Sequence, residues 1–255
     1  MKRKILKNKP LIEAIFELRW KLSSSKENLS IDPHYKILIG QIFHKLKSEY
    51  PFHEQLPAAL IPDEMSPYVI QHRFRTSESK WPLIQIGPGI LTLNDTDGYT
   101  WDNFEKRINN LTKIMIDSYP EKNKLLFNNI QLRYIDGLIF DFNEDVFKFI
   151  KERMKTQIKV YERLFEKSTV ENKPFAFDLR FTYPLKKPSG VINLRFFKGE
   201  IKKKEALLWE TIVHSYDNNT PKKLTDIEKW IIDAHNISDD WFFKIISGDL
   251  ERSFS

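Results

Sequence analysis

The sequence predicts an α+β fold: antiparallel sheets with helices packed on one face. Three observations carry this. Several segments place apolar side chains at every second position, the period of a half-buried strand. Others repeat them three and four residues apart, the period of an amphipathic helix. A third pattern, a polar–Leu–Arg–aromatic quartet, recurs on four of the strands and gives the sheet one apolar and one polar face.

The elements follow in order. Residues 12–20 alternate strongly and read as a strand, and 23–30 form a polar loop. In 33–50, Tyr35, Leu38, Ile42, Phe43 and Leu46 recur at helical spacing before Pro51 stops the helix. Residues 57–67 carry three prolines and no period, hence a loop. Strands are expected at 69–75 and, as a pair broken by Gly87-Pro88-Gly89, at 81–94. A second helix covers 101–119, with Trp101, Phe104, Ile108, Leu111 and Met115 on one side, and 125–140 is a strand. This first part, 1–144, reads β-α-β-β-α-β. A connecting helix is expected within 145–173, over 145–167. The second part, 174–255, reads β-β-β-α, with strands at 175–183, 191–198 and 206–216. Its helices are expected at 225–234, with Thr225 as N-cap and Glu228 completing a capping box, and at 239–254. The two halves are separate units or pack as one globule.

Composition excludes several classes. The chain has no cysteine, which removes disulfides, thiolate nucleophiles and zinc–cysteine sites together. No run of about eighteen apolar residues offers a membrane span. The basic start leads straight into Pro10 without the apolar region of a signal peptide, so a cytoplasmic location is expected. A formal charge of +6 and a pI near 9.2 invite a nucleic-acid reading. Lysine far outnumbers arginine, however, and only Lys2 to Lys9 and 148–167 are locally basic, the latter with Glu152, Glu162 and Glu166 interspersed.

The quartets are Glu17-Leu18-Arg19-Trp20, Gln131-Leu132-Arg133-Tyr134, Asp178-Leu179-Arg180-Phe181 and Asn193-Leu194-Arg195-Phe196. Strand alternation puts Leu and the aromatic on the apolar face and Arg on the other, beside its polar neighbour. The plainer reading is a solvated face laced with cross-strand ion pairs, each worth only tenths of a kcal/mol. The functional reading is a polar surface gripping an anion, peptide or nucleic acid through the planar fork of arginine.

The run from Pro10 to Trp20 resembles the opening of a sporadically distributed, uncharacterised bacterial protein family of about this length. The resemblance continues in Gln85-Ile86-Gly87-Pro88-Gly89-Ile90-Leu91-Thr92-Leu93-Asn94, in Tyr99 and Trp101, in Leu132 to Ile135 and in the ending from Phe242 to Phe254. It implies no particular chemistry. The patchy distribution of that family implies mobile genes, such as phage defence or toxin–antitoxin accessories.

Catalytic signatures are sparse. Gly87-Pro88-Gly89 lacks the Gly-Lys-Ser/Thr ending of a P-loop and reads as a bulge or hairpin corner. None of the six histidines forms a His-Glu-x-x-His pair, and no serine sits in a Gly-x-Ser-x-Gly elbow. Asp95/Asp97, Asp141/Glu144/Asp145 and Asp239/Asp240 are explained by loop turns and helix starts. The sharpest enzymatic idea is Asp178 with Glu200 and Lys202, a strand Asp followed by Glu-x-Lys, as in magnesium-dependent nucleases. Glu200 follows Gly199, and Lys202 to Lys204 read equally as a solvated protective edge.

The sequence therefore favours a non-catalytic binding or accessory protein, with no cofactor or metal, that recognises a protein partner. Its contact residues would be Arg19, Arg133, Arg180, Arg195, Trp81 (at a predicted turn) and Trp241. The aromatic closing helix would cap the second half or dock on another copy of the chain. The alternative is a nucleic-acid binder or nuclease using the same arginine face.

Overall fold

The alternating segments assemble into a single nine-stranded sheet, seen in a computed structural model that describes residues 6–24, 29–96 and 98–255. Of the residues singled out above, Lys2, Arg3, Lys4 and Asp97 lie outside the described ones. The strands are β1 (Leu11–Trp20), β2 (Ser23–Ser24), β3 (Ser30–Ile31), β4 (Phe52–Gln55), β5 (His72–Arg75), β6 (Leu83–Gly87), β7 (Ile90–Asp95), β8 (Phe127–Ile139), β9 (Asp178–Leu185), β10 (Gly190–Ile201) and β11 (Lys204–Tyr216). The helices are α1 (Tyr35–Leu46), α2 (Trp101–Ser118), α3 (Val146–Arg153), α4 (Leu224–Ile246) and α5 (Asp249–Ser253).

The order across the sheet is β4-β5-β6-β7-β1-β8-β11-β10-β9, with β2 and β3 forming a separate small ribbon. Two meanders, β4 to β7 and β9 to β11, thus flank the central pair β1 and β8. All pairings are antiparallel, and β8 runs beside β11 from Asn129 to Ile139, so one sheet joins residues of both predicted halves.

Side-chain alternation gives this sheet one face under helices. Ala14, Phe16, Leu18 and Trp20 of β1 share it with Leu91 and Leu93, Ile130 and Leu132, Val213 and Ile192. There they bury the apolar stripes of α1 and α2 and the first half of α4. A second apolar cluster on the same face gathers Leu194, Phe196, Leu207 and Trp209 under α3, α5 and the end of α4. Burying a large apolar side chain contributes roughly 1.5–3 kcal/mol, so these two clusters hold the helices on the sheet. Helix α4 spans both.

Four local expectations are corrected. The connecting helix ends at Arg153: Lys155 takes a left-handed backbone, and the chain beyond it leaves Val160, Tyr161 and Leu164 exposed. Helices expected at 225–234 and 239–254 are one helix, α4, whose buried stripe runs through Ile231, Ala234, His235 and Ser238 to Ile245; the break comes at Gly248, φ 102°. The N-cap of α4 is Lys223, with Thr225 already inside the first turn and no capping box. Strand β4 went unpredicted because Phe-His-Glu-Gln carries no apolar alternation; it forms by pairing with β5.

Candidate functional site

All four quartet arginines lie on the face that carries no helix among the described residues, as alternation requires. Three of them have acid partners on the same or neighbouring strands, whereas Arg180 is exposed and makes no hydrogen bond or ion pair among the described residues. Arg19 Nε donates to Glu17 at 2.6 Å. Arg133 binds Glu210 through two nitrogens, its Nε at 2.9 Å, and Arg195 Nη1 stands 3.8 Å from the same carboxylate. Arg195 also makes a fork to Asp178, at 2.7 and 2.6 Å. Hydrogen bonds to Arg195, with the Arg195 and Arg180 charges nearby, hold the Asp178 carboxyl below its ordinary range. Toward the other edge, Arg75 reaches Glu54 at 3.2 Å, Arg73 reaches Gln85 at 2.8 Å, and Asn94 donates to Glu13 at 2.7 Å. The face is a ladder of alternating signs, and its guanidinium charge is largely neutralised from within.

The nuclease residues are not brought together. Asp178 lies opposite Phe197 and shares the face of Arg195, whereas Glu200 alternates onto the face of Phe196 and Lys198. Lys202 and Lys203, both at positive φ (51° and 64°), form the tight turn between β10 and β11, the twist a two-residue hairpin requires. Among the described residues, no group of three His, Asp or Glu side chains is placed to hold a metal ion. The structure does pair two histidines: His53 Nε2 and His72 Nδ1 are 2.9 Å apart across β4 and β5.

Trp81 is half-buried, with the Arg75 guanidinium 6.0 Å from its ring centre. Trp241 packs edge-on against Tyr183 and touches both apolar clusters. Gly87-Pro88-Gly89 is the β6–β7 hairpin corner. A Cβ at position 87 would collide with the Val69 carbonyl oxygen, and Gly89, at φ +80°, lies against the Tyr68 ring. Close backbone approach demands these glycines.

The most developed site lies on the helix face, in the gap between the two apolar clusters. It is a half-open cavity of about 290 Å³ roofed by α2 and α4, floored by β8 and β11, and flanked by Leu6 to Leu11. The Trp101 and His235 rings stack at 3.6 Å and 7° on its wall. The Tyr99 hydroxyl donates to the Tyr134 oxygen at 3.1 Å, and Tyr134 stands 3.0 Å from His235 Nδ1. Burial raises the pKa of both tyrosines, so both remain hydrogen-bond donors at neutral pH.

Two polar groups at the cavity have no partner among the described residues. Asp136, 4% exposed, receives no hydrogen bond or ion pair, and burial pushes its carboxyl up to about 8. The Ser238 hydroxyl, on a side chain only 3% exposed, is likewise unpaired. An unmet buried polar group costs roughly 1–3 kcal/mol.

Sequence reasoning missed this cavity, although a signal was present. Along β8 the inward series runs Ile130, Leu132, Tyr134, Asp136, Leu138, so a carboxyl interrupts an apolar alternation at a core position. His235 and Ser238 similarly interrupt the stripe of α4, and Asp239, taken above for a helix start, lies mid-helix. No protein-family model and no curated protein matches the chain, so the reading of the site rests on its geometry. No helix among the described residues is long and apolar enough to cross a membrane.

Proposed function

We propose that this is a non-catalytic binding protein that takes a small ligand into the cavity between α2, α4, β8 and β11. One observation carries the reading: a buried carboxyl and a buried hydroxyl, Asp136 and Ser238, border the same aromatic-walled space without partners of their own. A core built for stability alone would put apolar groups there, since matched apolar packing avoids the desolvation penalty. The volume matches a small-molecule site, and a few polar groups set in an aromatic lining are what such sites use for orientation.

Thermal denaturation against a library of small charged and neutral molecules tests it. A binder stabilises the fold by mass action, so a ligand present at about 100 times its Kd adds roughly 2.7 kcal/mol. The effect should vanish when Ser238→Phe fills the cavity. Stabilisation that persists in that variant would place the ligand elsewhere and overturn the proposal.

A protein partner is the second reading, and a separate feature favours it. The connection between β4 and β5 exposes Leu60 (83%) and Met65 (74%) together with Ile61 and Val69. Isolated exposed apolar residues are ordinary, but four on one short connection are not. Binding there should survive moderate salt and fail in a Leu60→Ser, Met65→Ser double variant. The accessory role in phage defence or a toxin–antitoxin system comes from the sequence resemblance. A nucleic-acid surface is disfavoured because phosphate recognition needs cations free to replace counterions, and three of the four quartet arginines, Arg19, Arg133 and Arg195, already face carboxylates. Nucleic acid that co-purifies and is stripped by high salt would reverse that preference.

A further inference from the structure

We infer that the cavity ligand is an organic cation: an ammonium group bound by the Asp136 carboxylate, its carbon skeleton lying against Trp101 and Phe242. The inference rests on the reading of the cavity as a ligand site and names the chemistry that the site selects.

The first argument is the missing donor. An ionised carboxylate only accepts hydrogen bonds, and no described side chain or backbone group supplies one to Asp136. For Asp136 to ionise, the ligand must bring that donor. An ammonium carries three, enough to serve the carboxylate and the unpaired Ser238 hydroxyl.

The second argument is the sign of the field. The titratable groups around Asp136 come from every surrounding element. They are Lys9 before β1, Tyr99 and Asp102 at the start of α2, Tyr134 on β8, and His235 with Asp239 on α4; β11 contributes only the neutral Thr211. The Asp239 carboxyl disfavours ionisation of Tyr99 and Tyr134, and Asp136 adds to this once it is ionised, so negative charge at this wall raises both phenols. The Lys9 ammonium is held at the Tyr99 carbonyl oxygen, 2.7 Å away. An anionic ligand would meet the Asp239 carboxyl and would oppose ionisation of Asp136. A cation is attracted by the same field, and aromatic faces such as Trp101 favour it further.

Charge coupling follows. Empty, Asp136 keeps its proton at neutral pH, because burial without a counter-ion disfavours the carboxylate. A bound ammonium supplies the counter-ion, so binding expels the proton to solvent: one O–H bond of the carboxyl breaks and a charge-assisted N–H···O hydrogen bond forms. Affinity for a cation then rises with pH up to about 8 and levels off above it.

Titration calorimetry on the full chain tests this with three probes of one shape: benzylammonium, benzyl alcohol and benzoate. At pH 7, in two buffers of different ionisation enthalpy, benzylammonium should bind with release of about 0.9 proton, since a carboxyl titrating near 8 is still mostly protonated there. Its affinity should rise roughly tenfold per pH unit from pH 6 to 7, and Asp136→Asn should weaken it about tenfold or more. These charge readouts are made on the wild-type chain and do not depend on how the variant folds. Equal or tighter binding of benzyl alcohol or benzoate would overturn the cation while leaving a ligand cavity in place. Benzylammonium binding without proton release would remove Asp136 from the site. Failure of all three probes to bind the folded chain would overturn the cavity reading and the cation with it.

Discussion

Asp136 and Glu210 are near neighbours on adjoining strands, and they lead opposite lives. Asp136 lies across from Trp209 and points under the helices, and Glu210, one residue on in β11, points to the other face. Both are almost fully buried, at 4% and 1% exposure. Glu210 receives Arg133 through two nitrogens and has Arg195 at 3.8 Å. Asp136 has no cation among the described residues, and burial alone acts on it. Depth is therefore the same on both faces, and the partners differ. On the open face the quartet pattern delivers arginines to Glu17, Asp178 and Glu210; under the helices the pattern delivers leucines and aromatics, and Asp136 there stands without a counter-charge among the described residues. One face pairs its buried acid with arginines, and the other buries one without a counter-charge among the described residues.

The comparison breaks most sharply at Asp136. In the fold its carboxyl holds a proton to about pH 8, whereas in the unfolded chain it ionises near the ordinary value of about 4. Between those limits the unfolded state binds fewer protons, so stability falls as pH rises through the window and levels off above it. The total is on the order of 5 kcal/mol. Asp136→Asn does not titrate, so urea denaturation at pH 5 and pH 8 should show the variant gaining on the wild type at the higher pH. Parallel pH curves would mean that the carboxyl has a counter-charge in solution.

Glu210 should respond in the opposite sense. Arg133→Met leaves a buried carboxylate with only the more distant Arg195, and the expected loss is about 3 kcal/mol, since removing one partner of a buried pair strands the other. A loss under about 0.5 kcal/mol would make the ladder as weak as an exposed ion pair and erase the contrast.

A smaller effect sharpens the cavity side. Tyr134→Phe removes the hydroxyl between Tyr99 and His235 and should cost about 1 kcal/mol, the usual net worth of a buried hydrogen bond. The ring resonances of His235 in an NMR spectrum should shift with it, which a purely apolar role for Tyr134 would not produce. The smallest change is expected at Arg180, at the outer strand of the open face. Arg180→Ala should alter stability by less than about 0.5 kcal/mol, because Asp178 keeps its fork to Arg195.

Much of the fold was legible in the sequence because it rests on local periodicity. Period-two runs gave β1, β8, β10 and β11, and the leucine and aromatic of every quartet point inward as alternation demands. Where the local signal was weak, the reading failed. Strand β4 owes its existence to pairing with β5. The gap placed inside α4 reflected polar residues that the helix turns partly toward the cavity.

By itself the sequence determined which side chains would share a face, that helices would cover one face of antiparallel strands, and that cysteine chemistry was absent. Alternation along a strand and recurrence along a helix are properties of neighbours in the chain, so they survive without knowledge of the rest. The tertiary structure alone decided that a single sheet unites residues of both halves, that Arg133 and Arg195 converge on Glu210, and that Tyr99, Trp101, Tyr134, Asp136 and His235 border one space. Those residues come from segments up to about a hundred positions apart, such as Tyr134 and His235, separated by 101. Their meeting depends on strand order and helix placement, which are long-range outcomes of burying two apolar clusters on one face of the sheet.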